Sequence, residues 1–512
     1  MQKWVFVAPD PGRLRLRAAA RSVLGIGLAV TICGLAGQSL VASVTGGLAA
    51  LLALFTVTDA TVRGQAITTA LLPVVGFPVL AAAAVLHDYP VARDAVFLAV
   101  VGAGVYARRW GPRGHSLGVF AFMTYFVAQF LQTMPGQLPE LYAAIVLSLL
   151  ASSTVRFGLW CYERGRPPAV APAPADGKGL ARTTTRQAVQ AAVGGTLALV
   201  IGQAISGERW YWAVGATWWI FVNTASRGEA LVRGFRRVLG TLIGIAVGLV
   251  VVVPLHGAPV ATAALVAVCV FGIFYTAAVS YTWMMLSVTL LAGGLYGLLD
   301  VLDPALLALR LAETAVGALG AALAVLLVLP VTTHAATNAW IQQAVTRVHG
   351  CTTAAARRLS GDDGADPMPL VAELEALLGR VRLSLAPLVH PLSPLRARKA
   401  RARQVMALLD DCAREVRGLT AVAAARDARA NTAPGFAHDA RLVAACLRVE
   451  AAVHALVPPA APAPTAPAVP VPPGGQHPRA EAALAHLHAL EQALAELATP
   501  LRTSPRAPLV PA

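Results

Sequence analysis

Apolar residues fill the first two thirds of this chain in long runs, broken at short intervals by charged or turn-forming residues. A membrane span needs about 20 apolar residues, with a range near 17–25. Runs of that kind fall at roughly 18–36, 39–57, 65–86, 93–107, 116–133 and 140–160, then at 187–206, 210–225, 236–255, 259–277, 281–299 and 306–330. The run at 93–107 is the shortest, and the first two runs, like the tenth and eleventh, are separated by only a few residues. The run from Val23 is followed closely by another, so it reads as a first membrane helix and not as a cleavable signal. The predicted fold class is an all-α polytopic membrane protein of about twelve transmembrane helices.

After Pro330 the pattern changes. Stretches near 335–360, 369–389, 397–429 and 437–456 carry apolar residues at helical spacing among Arg, Glu and Ala. Leu370, Leu374, Leu377 and Leu378 fall at i, i+4, i+7 and i+8. Gly361-Asp362-Asp363-Gly364 and Pro367 separate the first two stretches. Pro and Ala dominate 457–478, a spacer composition, and a short helix at 479–498 with a disordered tail is expected to follow. The division is a first membrane repeat (1–160), a linker (161–185), a second membrane repeat (186–333), a helical region (334–456), the spacer (457–478) and the terminal helix and tail (479–512).

Charge sharpens this picture. Only 13% of the 512 residues are charged and 57% are hydrophobic, against roughly 25% charged in soluble domains. Residues 1–333 hold 22 Lys/Arg and 12 Asp/Glu, while the shorter remainder holds 19 and 14. Starting the chain inside and alternating the spans sends Lys3, Arg13, Arg15, Arg17, Arg21, Arg63, Arg108, Arg109, Arg113, Arg156, Arg164, Arg166, Lys178, Arg182, Arg186, Arg227, Arg233, Arg236 and Arg237 to the cytoplasmic side. Arg93, Arg209 and Arg310 go outside, a split of 19 against 3 that obeys the positive-inside rule. Both termini are therefore expected in the cytoplasm, with the spans in an inner (plasma) membrane. That rule also accounts for the net charge of +15, and no nucleic-acid motif accompanies it. Six scattered cysteines form no CxxC pair and imply neither a disulfide framework nor a zinc site.

The two halves echo each other. Arg63-Gly64-Gln65-Ala66 matches Arg227-Gly228-Glu229-Ala230, each opening an apolar run, and Gly76 then falls opposite Gly240. Six spans per repeat is an even number, so the copies should be parallel, related by an axis along the membrane normal.

The densest chemistry lies at the start of the ninth run. Glu229, Arg233, Arg236 and Arg237 share one side of a helix, and Gly240 and Gly244 continue that side, where they permit close helix approach. Guanidinium groups bind carboxylates, so these four residues are candidate ligands for an organic anion, although arginines at a helix end also set topology and snorkel to headgroups. Arg63 is the matching candidate in the first half, where Thr69 and Pro73 stand opposite Arg233 and Arg237. Glu313 lies three residues after Arg310 within an apolar run. It is a candidate for proton coupling, or alternatively a structural ion pair with Arg310. Trp218, Trp219 and Tyr125 are candidate aromatic contacts, while Trp210, Tyr211 and Trp212 fall at the expected outer interface. His477, His486 and His488 do not share a helical face, so no metal is expected. No Walker A, HExxH or GxSxG motif occurs, and neither an enzyme nor a cofactor is implied.

The segment Arg-Gly-Glu-Ala-x2-Arg-x3-Arg-x2-Gly-Thr-x2-Gly over 227–244 resembles the fusaric acid resistance family, which includes aromatic carboxylic acid exporters, and more distantly the aluminium-activated malate transporters. The resemblance implies a pseudo-dimer of six-helix bundles, export of organic or aromatic acids driven by the proton-motive force, binding at Arg233 and Arg237, and Glu229 as the residue that holds them. The expected partners are membrane lipid and a small organic anion, without nucleic acid. The C-terminal helices offer a surface for a homo-oligomer or a protein partner. The competing readings are an anion channel and a membrane scaffold that does not transport.

Overall fold

The computed structural model describes residues 13–59, 61–163, 178–222, 224, 226–255, 258–330, 333–359, 362, 364–389, 396–424, 440–457 and 478–502, and every regular element among them is helical. The chain divides into two compact units, Met1–Pro168 with Asp176–Val331, and Ala169–Ala175 with Thr332–Ala512. Most of the expected linker, nearly all of the Pro/Ala spacer, the tail from 503, Lys3, Arg164, Arg166, Gly361, Asp363 and His477 lie outside the described residues.

The first unit contains α1 (Leu14–Leu35), α2 (Leu40–Thr56), α3 (Val62–Val85), α4 (Pro90–Tyr106), α5 (Gly111–Phe130) and α6 (Leu138–Glu163). It continues with α7 (Thr183–Ile205), α8 (Tyr211–Phe221), α9 (Arg227–Val251), α10 (Pro259–Thr276), α11 (Tyr281–Leu298) and α12 (Pro304–Leu327). Among the described residues, nine stretches are long and apolar enough to cross a membrane. One of them, Pro90–Phe130, holds both α4 and α5. These two fold back on each other: a Cβ on Gly104 would stand 3.0 Å from the Gly118 carbonyl, and Gly111 makes the turn at φ +74°. The chain is thus an all-α, multi-pass membrane protein.

Each expected span has a helix, with one correction. The run at 210–225 yields only the 11 residues of α8, about 17 Å long against a hydrocarbon core of about 30 Å. Trp210, Tyr211, Val214 and Trp218 are all buried, so this short helix lies among its neighbours and not against lipid. In contrast, Leu24, Val74, Val91, Leu150, Val200, Phe235, Val250, Val260 and Val268 point outward, an apolar exterior that suits a bilayer.

The helix pairings of the first six recur in the second six. Helix α1 packs on α2 and α6, and α7 on α8 and α12; α3 packs on α5, and α9 on α11; crosswise, α1 meets α10 and α4 meets α7. The sequence echo sits at equivalent places. A side-chain hydroxyl caps each motif helix, Thr61 accepting from the Gly64 amide and Ser226 from the Glu229 amide. Gly76 lies against Phe120 of α5, and Gly240 against Thr282 and Met285 of α11. Arginines also bind helix ends by donating to carbonyls there. Arg156 binds Ala53 O at 2.6 Å and Val57 O at 2.8 Å, and Arg108 binds Phe221 O at 3.0 Å.

The second unit contains α13 (Thr333–Leu359), α14 (Met368–Val389), α15 (Arg396–Ala424), α16 (Ala440–Leu456) and α17 (Pro478–Arg502). Leu374, Leu377, Leu378 and Val381 of α14 enter a core with Val345, Leu409, Val416, Val449, Leu487 and Leu494. Ion pairs lie on its outside, including Arg347–Glu373 at 3.0 Å, Arg382–Asp410 at 2.5 Å and Arg448–Glu491 at 3.0 Å.

Candidate functional site

Helices of both halves of the membrane unit line one cavity of about 140 Å³. An apolar cavity of about 150 Å³ is enough to hold a benzene ring. Leu48 and Phe55 of α2, Phe126 and Phe130 of α5, Trp212 and Trp219 of α8, and Ile273 and Met285 of α10 and α11 form much of its wall. Only Arg237 and Arg310 carry charge among its described lining residues.

Each arginine is placed by packing. On α9, Arg237 lies one turn before Gly240, on the face that rests against α11. A Cβ at Gly240 would stand 2.5 Å from the Thr282 carbonyl, and one at Gly244 would stand 2.7 Å from the Thr289 Cβ. This contact leaves room for no larger residue, and it brings Tyr281 and Met285 to Arg237. Arg237 Nη1 donates to Tyr281 Oη at 3.1 Å and approaches Met285 Sδ at 3.2 Å, while its Nε has no hydrogen-bond partner among the described residues. The guanidinium of Arg233, half-buried one turn earlier, lies over the Tyr281 ring at 4.1 Å. Tyr281 therefore holds both arginines, one through its face and one through its hydroxyl.

Arg310 comes from α12. Its guanidinium lies over the Trp212 ring at 3.9 Å, and its Nε and Nη1 have no hydrogen-bond partner among the described residues. Arg237 and Arg310 are 6% and 5% exposed, so water reaches neither freely. An arginine at the centre of a membrane helix costs at least about 3 kcal/mol, which makes two of them around one cavity an expensive arrangement. Glu313 is wholly buried, and both its carboxylate oxygens lack a partner among the described residues. Arg209 and Arg310 act on it electrostatically, and the nearby Ala213 amide donates to the Trp210 carbonyl at 3.1 Å. The ion pair considered between Arg310 and Glu313 does not form.

The other candidates are distributed as follows. Trp219 lines the cavity with Arg237. Trp218 is stacked on Phe122 at 3.9 Å, with its indole N–H given to the Val101 carbonyl, and Tyr125 gives its hydroxyl to the Arg93 carbonyl at 2.7 Å. Both serve packing, outside the cavity lining. Arg63 is exposed at the start of α3, and Arg236 and Glu229 are half-buried on α9, also outside the lining. Two lining residues were not foreseen as ligands. Trp212 was expected at an outer interface and instead forms the wall under Arg310. Arg310 figured in the sequence only as an outer-side charge and as a neighbour of Glu313. Its one sequence signal was an arginine inside an apolar run. Among the described residues, no group of three His, Cys, Asp or Glu side chains could hold a metal ion.

Residues 197–325, from within α7 to within α12, match the family described as fusaric acid resistance protein-like. No curated protein matches the chain. The matched segment supplies both cavity arginines, all of α8 and the α9–α11 contact. This chain is therefore a multi-pass membrane protein with a fusaric acid resistance protein-like region over residues 197–325.

Proposed function

We propose that the protein exports organic carboxylates, aromatic ones above all, across the inner (plasma) membrane, with both termini in the cytoplasm and the two six-helix sets acting as parallel repeats. The observation that carries this reading is the cavity, ring-sized and apolar, with two buried arginines as the only charged residues among its described lining. A carboxylate would supply the missing counter-charge and accept from the guanidinium N–H groups, while Trp212, Trp219 and Phe126 pack against the ring. Arg233, held over Tyr281 beside Arg237, guides anions toward the cavity from the cytoplasmic side. The inside-negative potential favours outward movement of an anion. Glu313, wholly buried beside Arg310 and with no geometric hydrogen bond to its carboxylate among the described residues, is the candidate site of proton coupling.

The test is efflux from cells loaded with a panel of labelled aromatic acids, comparing wild type with the Arg233→Ala/Arg237→Ala double variant at equal membrane abundance. Export by wild type that the variant loses supports the reading. Failure of wild type to export any acid turns the chain into a scaffold and its arginines into topology signals. With Glu313→Gln, export that continues but no longer varies with external pH supports proton coupling; an unchanged pH dependence removes Glu313 from that role.

A further inference from the structure

The two cavity arginines stand at different depths, and their separation narrows the kind of anion that fits. Helix α12 runs parallel to α8, since Arg310 lies over Trp212 and Gly317 lies against Ala213, Ala216 and Thr217. Helix α9 follows α8 after a short turn and packs back along it, with Gly234 beside Ile220. Helices α9 and α12 are therefore antiparallel, and they are level where a Cβ on Gly234 would lie 3.7 Å from the Cβ of Ala318. From that level Arg237 is three residues forward on α9 and Arg310 is eight residues back on α12, which displaces both in the same direction. The difference of five residues, at about 1.5 Å each, separates their helix positions by about 7–8 Å along the axis.

Neither arginine is neutralised by an acid within the lining. Among the described residues Arg237 Nε has no hydrogen-bond partner, nor have Arg310 Nε and Nη1. A monocarboxylate held at Arg237 leaves buried N–H groups of Arg310 without an acceptor, which costs free energy. We infer that the cavity is built for an anion with acceptor groups at opposite ends of a flat apolar body, an aromatic dicarboxylate or its equivalent, with Arg237 taking one end and Arg310 the other. This rests on the anion-transport reading and adds to it: Arg310 becomes the residue that determines specificity. Trp212, under the Arg310 guanidinium, keeps that charge at the cavity wall with its N–H edge available.

The experiment is displacement of labelled benzoate from the purified full chain by unlabelled benzoate, benzene-1,4-dicarboxylate and benzene-1,2-dicarboxylate. The two dicarboxylates carry equal charge and differ only in reach. Wild type should bind the 1,4-isomer about tenfold or more tighter than either other acid, the effect of one added charge-assisted hydrogen-bonded contact. Arg310→Gln should bind the 1,4- and 1,2-isomers equally, whatever its affinity for benzoate, while Arg310→Lys keeps part of the preference. Equal binding of the two isomers by wild type, or a preference that survives in Arg310→Gln, overturns the inference and leaves monocarboxylate transport standing. Absence of benzoate binding in wild type overturns both.

Discussion

Arginine meets two environments in this chain, and the two units handle it differently. In the helical unit Arg347, Arg382 and Arg448 each reach an acid on a neighbouring helix and remain partly exposed. Such pairs contribute about 0–1 kcal/mol, so they are replaceable. In the membrane unit Arg237 and Arg310 are almost wholly buried, contact a tyrosine hydroxyl or a tryptophan face, and keep nitrogens without hydrogen-bond partners among the described residues. Burial without an acid is costly where water cannot enter. The contrast separates arginines that maintain a surface from the arginines proposed above as an anion site.

Removing one member of each class breaks or sharpens that distinction. Arg237→Ala should lower carboxylate flux by about tenfold to a hundredfold, the loss of one charged hydrogen-bonded contact, whereas Arg382→Ala should leave flux within about twofold. A comparable loss in both variants, measured at equal abundance in the same efflux assay, would erase the distinction. The packing behind the cavity arginine gives the next effect. Gly240→Leu must push α9 off the Thr282 carbonyl, at a cost of about 1–3 kcal/mol. A fall in the thermal midpoint of the purified protein should accompany loss of flux; Gly379→Ala on α14, where a Cβ would meet nothing within 4 Å, should lower neither.

Smaller effects belong to the helical unit. Burial pushes the Cys351 and Cys412 thiols up to about 12, and it raises Cys446 as well, although that residue is partly exposed and borders a groove lined by Val443 and Leu447. A thiol reagent at neutral pH should label Cys446 before the other two, as read by mass spectrometry. Prior labelling of Cys351 would mean that this core opens. The hydrogen bond from Arg357, with a further bond from the Gly364 amide, holds the Asp362 carboxyl below its usual range. A group depressed in the folded state contributes stability above its unfolded pKa and loses it as pH falls through the folded value. Asp362→Asn should therefore destabilise the unit slightly at neutral pH, with the difference from wild type vanishing in acid; a difference that persists there would assign the effect to something other than charge.

Much of this architecture was legible in the sequence because bilayer and helix impose simple patterns. Run length placed α1–α7 and α10–α12 within a few residues, whereas α9 starts at Arg227, nine residues before its apolar run, and the leucines of α14 announced the face that it buries. Of the stripe read as one helical face, Arg233, Arg237, Gly240 and Gly244 meet α11, whereas Glu229 and Arg236 are half-buried outside the cavity lining. What stayed hidden depended on partners far away in sequence. Hydrophobicity gives no sign that α8 is short, because its interior neighbours are as apolar as lipid. Trp212 and Trp218 look alike along the chain, yet one lines the cavity and the other donates to Val101 and stacks on Phe122. Arg310 seemed committed to Glu313 by its spacing, whereas the Trp212 ring takes it instead.

The most direct measurement is flux of a labelled aromatic carboxylate from liposomes containing this chain alone under an imposed membrane potential, compared with the Arg237→Ala/Arg310→Ala double variant. The expected result is potential-driven efflux with wild type and none above empty liposomes with the variant. Equal flux through both would contradict the assignment of the cavity arginines as the anion site.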